Sequence, residues 1–322
     1  MSRCAIILFL SLCLICARPA SAGELFGFFG SMKNTSTQDS SYSWSMEYRE
    51  SLGEHFAASL VYLNEGHVPN HHRDGHGAML WARTNVLDRR LSLAAGAGAY
   101  YYFDTTEPPM GGHSNEHGLA AILGLSATWY TNSPWLVQLR LNSVTTKLSI
   151  DTLSTMIGIG YQLDRPDAPG PLTDVPSQAD KTTGNELTVY LGSRIANSFS
   201  SETSIATSVE YRRGLMRYLD GTIAWMYEGD NEMIRRNGLV MQLWLTRAFL
   251  DESLTLGYGM GPYFVLDEYR EDVSTRFAEL MLSMSASYRF TPRWAARVTW
   301  NRVVTGYDND ADIIMLGLGY RF

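Results

Sequence analysis

Cysteine is almost absent from this sequence, with only Cys4, Cys13 and Cys16. All three lie in a short apolar segment that follows Arg3 and ends at the small residues Ala20-Ser21-Ala22. This pattern is typical of a secretory signal peptide. We therefore predict that residues 1–22 are removed after Sec export, by cleavage near Ala22. The mature chain would then hold no cysteine, which excludes disulfides and thiolate chemistry.

Long hydrophobic runs and positive charge are also scarce. The mean hydropathy of −0.14 is too polar for a bundle of membrane helices, each of which needs roughly 20 apolar residues. Charged residues make up 18% of the chain and the net charge is −7. Arg3 and Arg18 would leave with the signal peptide and make the mature chain more acidic. The composition gives no basic surface for nucleic acid, and we predict no nucleic-acid partner.

What the sequence does contain is two copies of one pattern. Leu87, Gly96 and Tyr100 recur 163 residues later as Leu250, Gly259 and Tyr263. At the same shift, further matching pairs are Glu47 with Glu210, Arg49 with Arg212, Glu65 with Glu228, and Trp81 with Trp244. Near the ends of the copies the shift becomes 159, as for Asn142 and Asn301. A match of this length indicates a tandem duplication.

The duplication predicts three regions after the signal peptide. Residues 23–163 form the first eight-strand repeat, and residues 186–322 form the second. Residues 164–185 contain four prolines among small polar residues, a composition that favours a periplasmic linker over a strand. Predicted strands begin near residues 24, 40, 55, 76, 91, 117, 134 and 151 of the first copy. In the second copy they begin near residues 186, 201, 218, 238, 254, 276, 294 and 313.

The strands alternate apolar with small or polar residues, so an antiparallel transmembrane β-barrel is predicted. In the last strand Leu316 and Leu318 face outward, whereas Gly317 and Gly319 face inward. Short turns alternate with longer connections, among them Gly66 to Gly75 and Thr105 to Glu116. Aromatic residues lie near strand ends, as in an interfacial girdle: Tyr42, Trp44, Trp129, Trp135, Trp294 and Trp300.

The C-terminal sequence Tyr320-Arg321-Phe322 resembles the assembly signature of bacterial outer-membrane β-barrels. The resemblance implies location in the Gram-negative outer membrane. It also implies recognition of Phe322 by the outer-membrane assembly machinery. Outer-membrane lipids and lipopolysaccharide are the other expected partners.

Two closed arrangements fit the predicted strands. A repeat of about 140 residues is the right size for a closed eight-stranded barrel, and glycine-rich inner faces suit its narrow interior. A single barrel of sixteen strands is also a common size for an outer-membrane chain. We prefer one sixteen-stranded barrel, and two eight-stranded barrels are the alternative that the long linker favours.

Strand phasing points a set of polar residues inward. They are predicted to line a lumen and tune its selectivity in a wide barrel, or to form buried ion pairs in narrow barrels. The first copy contributes Glu47, Arg49, Glu65, Trp81, Gln138, Arg140 and Asn142. The second contributes Glu210, Arg212, Glu228, Trp244, Arg297, Thr299 and Asn301.

All histidines lie in the first copy, and six of them fall in or beside two predicted external loops: His67, His71, His72, His76, His113 and His117. Imidazoles beside carboxylates suit zinc, copper or nickel. The readings left open are a divalent-metal site, a pH-sensitive cluster and simple exposure. Asp308, Asp310 and Asp312 raise a similar alternative for calcium. No other cofactor is predicted.

The last two strands of each copy resemble the end of the lipid A 3-O-deacylase family of eight-stranded outer-membrane barrels. The residues concerned are an asparagine, Asn301 or Asn142, and the last residue of the copy 21 positions later. The family places a His-x-Ser pair immediately before this asparagine. Here those positions hold Val298 and Trp300, or Leu139 and Leu141. Without an imidazole base no serine is activated there, so no catalytic residue is predicted.

Three functions follow in order of preference. The first is a passive channel or export pore with a charged lumen. The second is a non-conducting scaffold or lipopolysaccharide-binding barrel. The third is a lipid A-modifying relative that uses the histidine-bearing loops.

Overall fold

The fold is all-β, as predicted. The computed structural model describes residues 23–108, 111–163, 168–173, 184–230, 235–267 and 278–322. The predicted signal peptide and most of the linker lie outside the described residues. The described residues contain no helix that is long and apolar enough to cross a membrane.

The described residues form sixteen strands, and each copy contributes eight. The first eight are β1 (Gly23–Asn34), β2 (Ser40–Ser51), β3 (Phe56–Val68), β4 (His71–Val86), β5 (Leu91–Thr106), β6 (Ser114–Tyr130), β7 (Trp135–Thr145) and β8 (Thr152–Gln162). The second eight are β9 (Asn185–Ala196), β10 (Thr203–Met216), β11 (Leu219–Asp230), β12 (Arg235–Phe249), β13 (Leu254–Asp267), β14 (Ala278–Arg289), β15 (Trp294–Val304) and β16 (Ala311–Arg321).

The strands close into two eight-stranded antiparallel barrels, so the preferred single sixteen-stranded barrel is wrong and the alternative is confirmed. Barrel 1 comprises β1–β8 and closes where β1 pairs with β8, from Glu24 opposite Gln162 to Asn34 opposite Thr152. Barrel 2 comprises β9–β16 and closes where β9 pairs with β16. Each copy therefore satisfies its own edge strands, and neither needs the other to complete its backbone hydrogen bonds.

Glycine permits a close approach of the two strands at each closing seam. A Cβ atom on Gly30 of β1 would lie 2.0 Å from the backbone oxygen of Thr155 on β8. The equivalent Gly192 of β9 would meet the backbone oxygen of Ile314 on β16 at the same distance. Only a residue without a side chain permits this approach of the first and last strands. The period-two pattern of the strands is the same for one barrel of sixteen strands and for two of eight, so it did not distinguish these closures.

The two copies also share backbone turns, which confirms the internal duplication. The β4–β5 turn has positive φ at Leu87 (53°), Asp88 (51°) and Arg89 (66°). The β12–β13 turn repeats this at Leu250 (53°), Asp251 (53°) and Glu252 (63°). These turns lie at the end of each barrel that also holds the β2–β3, β6–β7, β10–β11 and β14–β15 turns. This end is called the turn end below, and the opposite end is called the loop end.

One predicted external loop is instead a hairpin. β3 continues to Val68 and β4 begins at His71, with a turn at Pro69 and Asn70 whose φ is 62° at Asn70. The predicted loop from Gly66 to Gly75 is therefore wrong. The extended strands were not recognised in the sequence, because this histidine-rich segment shows no alternation of apolar and polar residues. The connection predicted from Thr105 to Glu116 is shorter, since β5 ends at Thr106 and β6 begins at Ser114.

The chain divides into two compact units that do not coincide with the repeats. Unit 1 contains most of barrel 1 and residues 168–173 of the linker. Unit 2 contains residues 180–322 together with residues 66–74 and 101–118 of the first repeat. The loop-end segments of β3–β6 thus belong to unit 2.

Candidate functional site

An ion-pair cluster crosses the interior of barrel 1. Arg140 on β7 donates to both carboxylate oxygens of Glu47 on β2, at 2.8 and 3.0 Å. Arg49 reaches the same carboxylate at 2.8 Å. Gln138 accepts from Arg140 at 2.7 Å. All four side chains are buried, so the charges are compensated inside the barrel and away from water.

Trp81 fills the space beside this cluster. Its ring lies under the guanidinium groups of Arg140 (4.5 Å from Cζ to the ring centroid) and Arg49 (4.6 Å). Its Nε1 donates to Ser59 at 2.9 Å. Gly96 and Gly124 make room for the indole, since a Cβ atom on either would lie within 2.6 Å of it. A narrow barrel thus accommodates its largest side chain by leaving glycine opposite it.

Two further polar contacts lie at the ends of the barrel 1 interior. At the turn end Tyr130 donates to Glu24 at 2.9 Å. At the loop end Tyr100 donates to Glu65 at 3.3 Å, and Thr152 makes a second hydrogen bond to it. Glu65 was predicted to face inward. Glu24 was missed, although its counterpart Glu186 stands 162 residues later and the repeat could have revealed it.

Barrel 2 has its own ion pairs. Arg297 on β15 donates to Glu186 on β9 at 2.7 Å, and Arg321 reaches Glu186 at 3.1 Å. Arg212 donates to Glu210 at 3.1 Å, and its Cζ lies 4.3 Å from the ring centroid of Trp244. The indole of Trp244 donates to Thr222 at 2.9 Å, as that of Trp81 does to Ser59.

A third group in barrel 2 lies nearer the loop end. Arg236 donates from two nitrogens to the two carboxylate oxygens of Glu228, at 2.6 and 2.7 Å. Arg194 lies 3.6 Å from the same carboxylate. Sequence reasoning missed both arginines. The repeat offered a signal for one of them, because Arg73 stands 163 residues before Arg236.

The residues predicted to face inward are therefore buried. Most of their charges pair with one another across the barrel interiors. That these residues line a conducting lumen remains a prediction. What the geometry shows is two interiors occupied by tryptophan, arginine and carboxylate side chains.

Residues 168–173 of the linker pack at the turn end of barrel 1. Gln162 donates to the backbone oxygen of Gly170 at 3.0 Å, and Arg89 donates to that of Pro171 at 2.5 Å. Arg89 also pairs with Glu54 at 2.9 Å. Burial opposes ionisation of Glu54, but hydrogen bonds from Asn85 and Arg89 lower the pKa of this carboxyl below 4.5.

The histidines of the β3–β4 hairpin lie at the loop end. His71 makes a 2.7 Å contact from Nδ1 to Asp104, and this hydrogen bond raises the pKa of His71 above 6.5. The rings of His67 and His72 lie 3.8 Å apart, centroid to centroid. Burial, together with the neighbouring charges of His67 and Arg302, lowers the pKa of His72 to about 4. The ring of His76 packs edge-on against Tyr62, 5.3 Å away.

The other two predicted histidines belong to unit 2 and contact residues between β15 and β16 of the same unit. His117 Nε2 lies 2.6 Å from Asp310, and His113 Nε2 lies 2.9 Å from the backbone oxygen of Asp308. Asp312 instead accepts from Arg302 at 2.8 Å. The three aspartates of the calcium alternative thus have separate partners.

No group of three or more metal-ligating side chains comes together within the described residues. The divalent-metal site predicted at the six histidines has no such group in this part of the chain. It therefore stays a prediction. The positions that correspond to the His-x-Ser pair of the deacylase family hold no catalytic side chain either. Leu139, Leu141 and Val298 are exposed on the outer face, whereas Asn142 and Asn301 are buried inside.

No protein-family model matches the sequence, and no curated protein matches it. Among solved structures, the chain is similar to the N-terminal β-barrel domain of Pseudomonas aeruginosa OprF, at 12% identity and a TM-score of 0.36. That match covers 44% of this chain and 98% of the other. Neisserial surface protein A matches at 11% identity and a TM-score of 0.33, covering 44% of this chain and 96% of the other. Scores this low carry no information on activity or ligands.

Proposed function

We propose that this protein spans the bacterial outer membrane as two narrow barrels that do not conduct ions, and that it serves as a scaffold at the cell surface. The observation that carries the proposal is the cluster of Glu47, Arg140, Arg49 and Trp81 across barrel 1. Such a cluster leaves ions no continuous water-filled path. The Glu186–Arg297 pair and Trp244 play the same part in barrel 2.

The outer faces support the membrane location. Val189 and Leu316 are 58% and 63% exposed, although each stands on a regular strand between buried neighbours. Exposed apolar side chains continue around both barrels, which fits contact with lipid chains. Exposed aromatics fit an interfacial girdle: Tyr42, Trp129, Trp135 and Trp294.

Unpaired backbone groups are not tolerated in the hydrocarbon core. Here the closed pairing of β1 with β8 and of β9 with β16 provides the partners. Eight strands per barrel leave an interior that side chains can fill. The proposal therefore replaces the wide, conducting pore that we preferred from the sequence.

Planar-bilayer recording of the refolded mature chain tests the proposal. Heat-modifiable gel mobility serves as the control for folding, and a known porin in the same bilayer serves as the positive control. We expect a folded sample that inserts and gives no stable conductance steps. Discrete steps in a folded sample would contradict the proposal, and a change of their ion selectivity in Arg140→Ala or Arg297→Ala would restore the channel hypothesis.

The scaffold role predicts a partner at the loop end, and lipopolysaccharide is the first one to test. Lipopolysaccharide retained by the purified protein would be compared between the native chain and a variant with His67, His71 and His72 changed to Gln. The same variant tests the enzyme hypothesis. A change in the acyl chains of lipid A that depends on these histidines would favour an enzyme over a scaffold.

A further inference from the structure

Part of the outer wall of barrel 2 is covered at the loop end. Val298 on β15 faces outward and is 49% exposed, whereas Arg302 and Val304, which alternate in phase with it, are 5% and 7% exposed. On β14 the outward-facing Tyr288 is exposed, whereas Leu282 in the same phase is buried. We call the loop-end residues Leu282, Arg302, Val304 and Asp312 the covered wall.

The cover comes from the first repeat, within the same compact unit. Residues 66–74 and 101–118 belong to unit 2 together with barrel 2, and we call them the first-repeat segments. Phe103 on β5 forms a buried apolar cluster with Leu282 and Val304. Tyr101 packs against the same cluster. Apolar side chains of the first-repeat segments therefore shield apolar residues of the covered wall from water.

Arg302 is the charged centre of this contact. Its guanidinium donates to Asp74 in the first-repeat segments and, at 2.8 Å, to Asp312 on β16. Its Cζ also lies 4.7 Å from the ring centroid of Phe103. Hydrogen bonds between a guanidinium and carboxylates are strong and directional, so Arg302 fixes the orientation of the two surfaces as well as their attraction.

A second set of polar contacts joins the β5–β6 connection to the β15–β16 loop. Asn115 donates its backbone N–H to Asp308 at 2.7 Å and its side-chain amide to the backbone oxygen of Asn197 at 2.8 Å. The side-chain oxygen of Asn115 accepts from the backbone N–H of Asp310 at 3.1 Å. His117 adds its contact with the Asp310 carboxylate. Contacts to backbone groups hold these loops in one relative position.

The duplication gives each copy the same two surfaces, but the polar and aromatic groups belong to one pairing of them. In barrel 2, Asn237 and the exposed Leu266 take the places of Asp74 and Phe103 at the shift of 163. In barrel 1, the counterparts of the covered wall at the shift of 159 include two exposed leucines and a serine: Leu123, Leu153 and Ser143. A head-to-tail contact between like surfaces forms open filaments unless something limits it. The ion pair and the aromatic ring distinguish this junction from its repetition.

We propose that the first-repeat segments and the covered wall form a specific interface that holds the two repeats together independently of the linker. Each barrel closes on its own strands, so side chains and loops alone supply this interface. Burial of the Phe103 cluster provides attraction, and the Asp74–Arg302 pair selects the partner. The proposal also assigns Asn115 and His117 a partner inside the molecule.

Cleavage of the linker in the folded chain tests the proposal. A specific protease site is inserted within residues 174–183, and an affinity tag precedes Gly23. The mature chain is refolded in an excess of detergent micelles, cleaved and captured by its tag. Heat-modifiable mobility verifies that both halves stay folded. We expect the second repeat to be retained with the tagged first repeat, and release of a folded second repeat would overturn the proposal.

Asp74→Arg is the strongest disruption of the interface, because it places a second guanidinium against Arg302. We expect the retained fraction of the second repeat to fall roughly tenfold or more. Phe103→Ala is a second, uncharged disruption, which removes the ring from the apolar cluster and from Arg302. It should also lower retention, and native retention in both folded variants would contradict the proposal.

The duplication supplies matched controls at equivalent positions. Asn237→Arg and Leu266→Ala introduce the same residues in barrel 2 as Asp74→Arg and Phe103→Ala do in the first repeat, and both should leave retention unchanged. An equal loss in the controls would overturn the proposal. Capture of a second repeat from an untagged chain in the same sample would show a contact between molecules, which would also overturn it.

This inference and the proposed function fail in different ways. Retention is measured in micelles and does not depend on whether either barrel conducts ions. Conductance steps with intact retention would refute only the non-conducting role, whereas a silent protein whose halves separate would refute only the interface.

Discussion

Both barrel interiors compensate buried charge, but they do so with different residues. In barrel 1, Arg140 pairs with Glu47, and the residue two places earlier on β7 is Gln138. In barrel 2 the aligned positions hold Thr299 and Arg297. The cation has moved by one inward-facing position along the strand, and its partner has changed from Glu47 on β2 to Glu186 on β9. Charge compensation is kept, but the residues that achieve it are not.

The comparison teaches that a narrow barrel constrains the sum of its interior charges more than their positions. Removing a buried charge from its partner is costly, whereas exchanging one complete pair for another is tolerated. In so narrow an interior, inward-facing positions on different strands lie within reach of one another. The tryptophans illustrate the opposite case. Trp81 and Trp244 stay in place because glycines opposite them make room.

The largest expected effect comes from Glu47→Gln, which removes the carboxylate from between Arg49 and Arg140. Two buried guanidinium groups would then share no anion, and we expect a loss of about 3–5 kcal/mol in the free energy of unfolding. Urea titration in detergent micelles, followed by heat-modifiable mobility, measures it.

Glu186→Gln is the matched variant in barrel 2. Its loss should be smaller, because the side chain of Arg321 is 16% exposed at the turn end and can turn toward water. Equal losses in the two variants would contradict the view that depth inside the barrel sets the cost.

A smaller effect is expected when barrel 1 receives a residue of barrel 2. Gly124 corresponds to Ser283 at the shift of 159. In Gly124→Ser the new Cβ would lie 2.6 Å from Trp81, so the indole must move, at a cost of about 1–3 kcal/mol.

The reverse change, Ser283→Gly, acts through hydrogen bonds instead. Ser283 donates to Asn301 at 2.7 Å and accepts from Gln242 at 2.9 Å. Its loss should cost about 1–2 kcal/mol, with no shift in the fluorescence of Trp244. A spectral shift is expected in Gly124→Ser, and its absence there would argue against the proposed clash.

Gly170→Ala tests the packing of residues 168–173 of the linker against barrel 1. Gly170 has a φ of 120°, and a Cβ atom there would lie 2.8 Å from that of Arg89. We expect a local loss of about 1 kcal/mol, seen as faster proteolysis within residues 164–185. Ala168→Gly, at an exposed position, is the control, and equal proteolysis of both variants would show that the contact is dispensable.

The smallest expected effect concerns pH. The hydrogen bond to Asp104 raises the pKa of His71 in the folded state. This contact contributes fully below pH 6.5 and is lost as the pH rises through the higher folded pKa. The change in stability should stay below about 1 kcal/mol, because His71 is partly exposed. An NMR titration of the ring should give a pKa above 6.5 that falls in Asp104→Asn.

Strand positions were largely predictable, because they depend on local patterns. The predicted starts of β2, β5, β13 and β15 coincide with those of the structure, and Leu316 and Leu318 face outward as expected. Period-two alternation with a buried inner face specifies these features residue by residue. It holds no information on how many strands close together.

The partners inside the barrels were not predictable for a related reason. Glu47 and Arg140 are 93 residues apart, and Glu186 and Arg297 are 111 apart. Phasing placed most of these side chains on the inner face, but only strand order and register decide which carboxylate meets which arginine. The prediction of a loop in place of the β3–β4 hairpin was wrong for a different reason. Pro69 and the surrounding histidines resemble a loop, and tertiary pairing overrides that local preference.

The closing seams at Gly30 and Gly192 have an evolutionary consequence. A gene that doubles a strand or a hairpin must enlarge a barrel and refit every neighbour at once. A gene that doubles a complete, self-closed barrel produces no new edge and no misfit. Each descendant copy then accumulates changes without reference to its sister. One copy now holds all the histidines and Glu54 in its β2–β3 turn, whereas the other holds Arg217 in the equivalent β10–β11 turn.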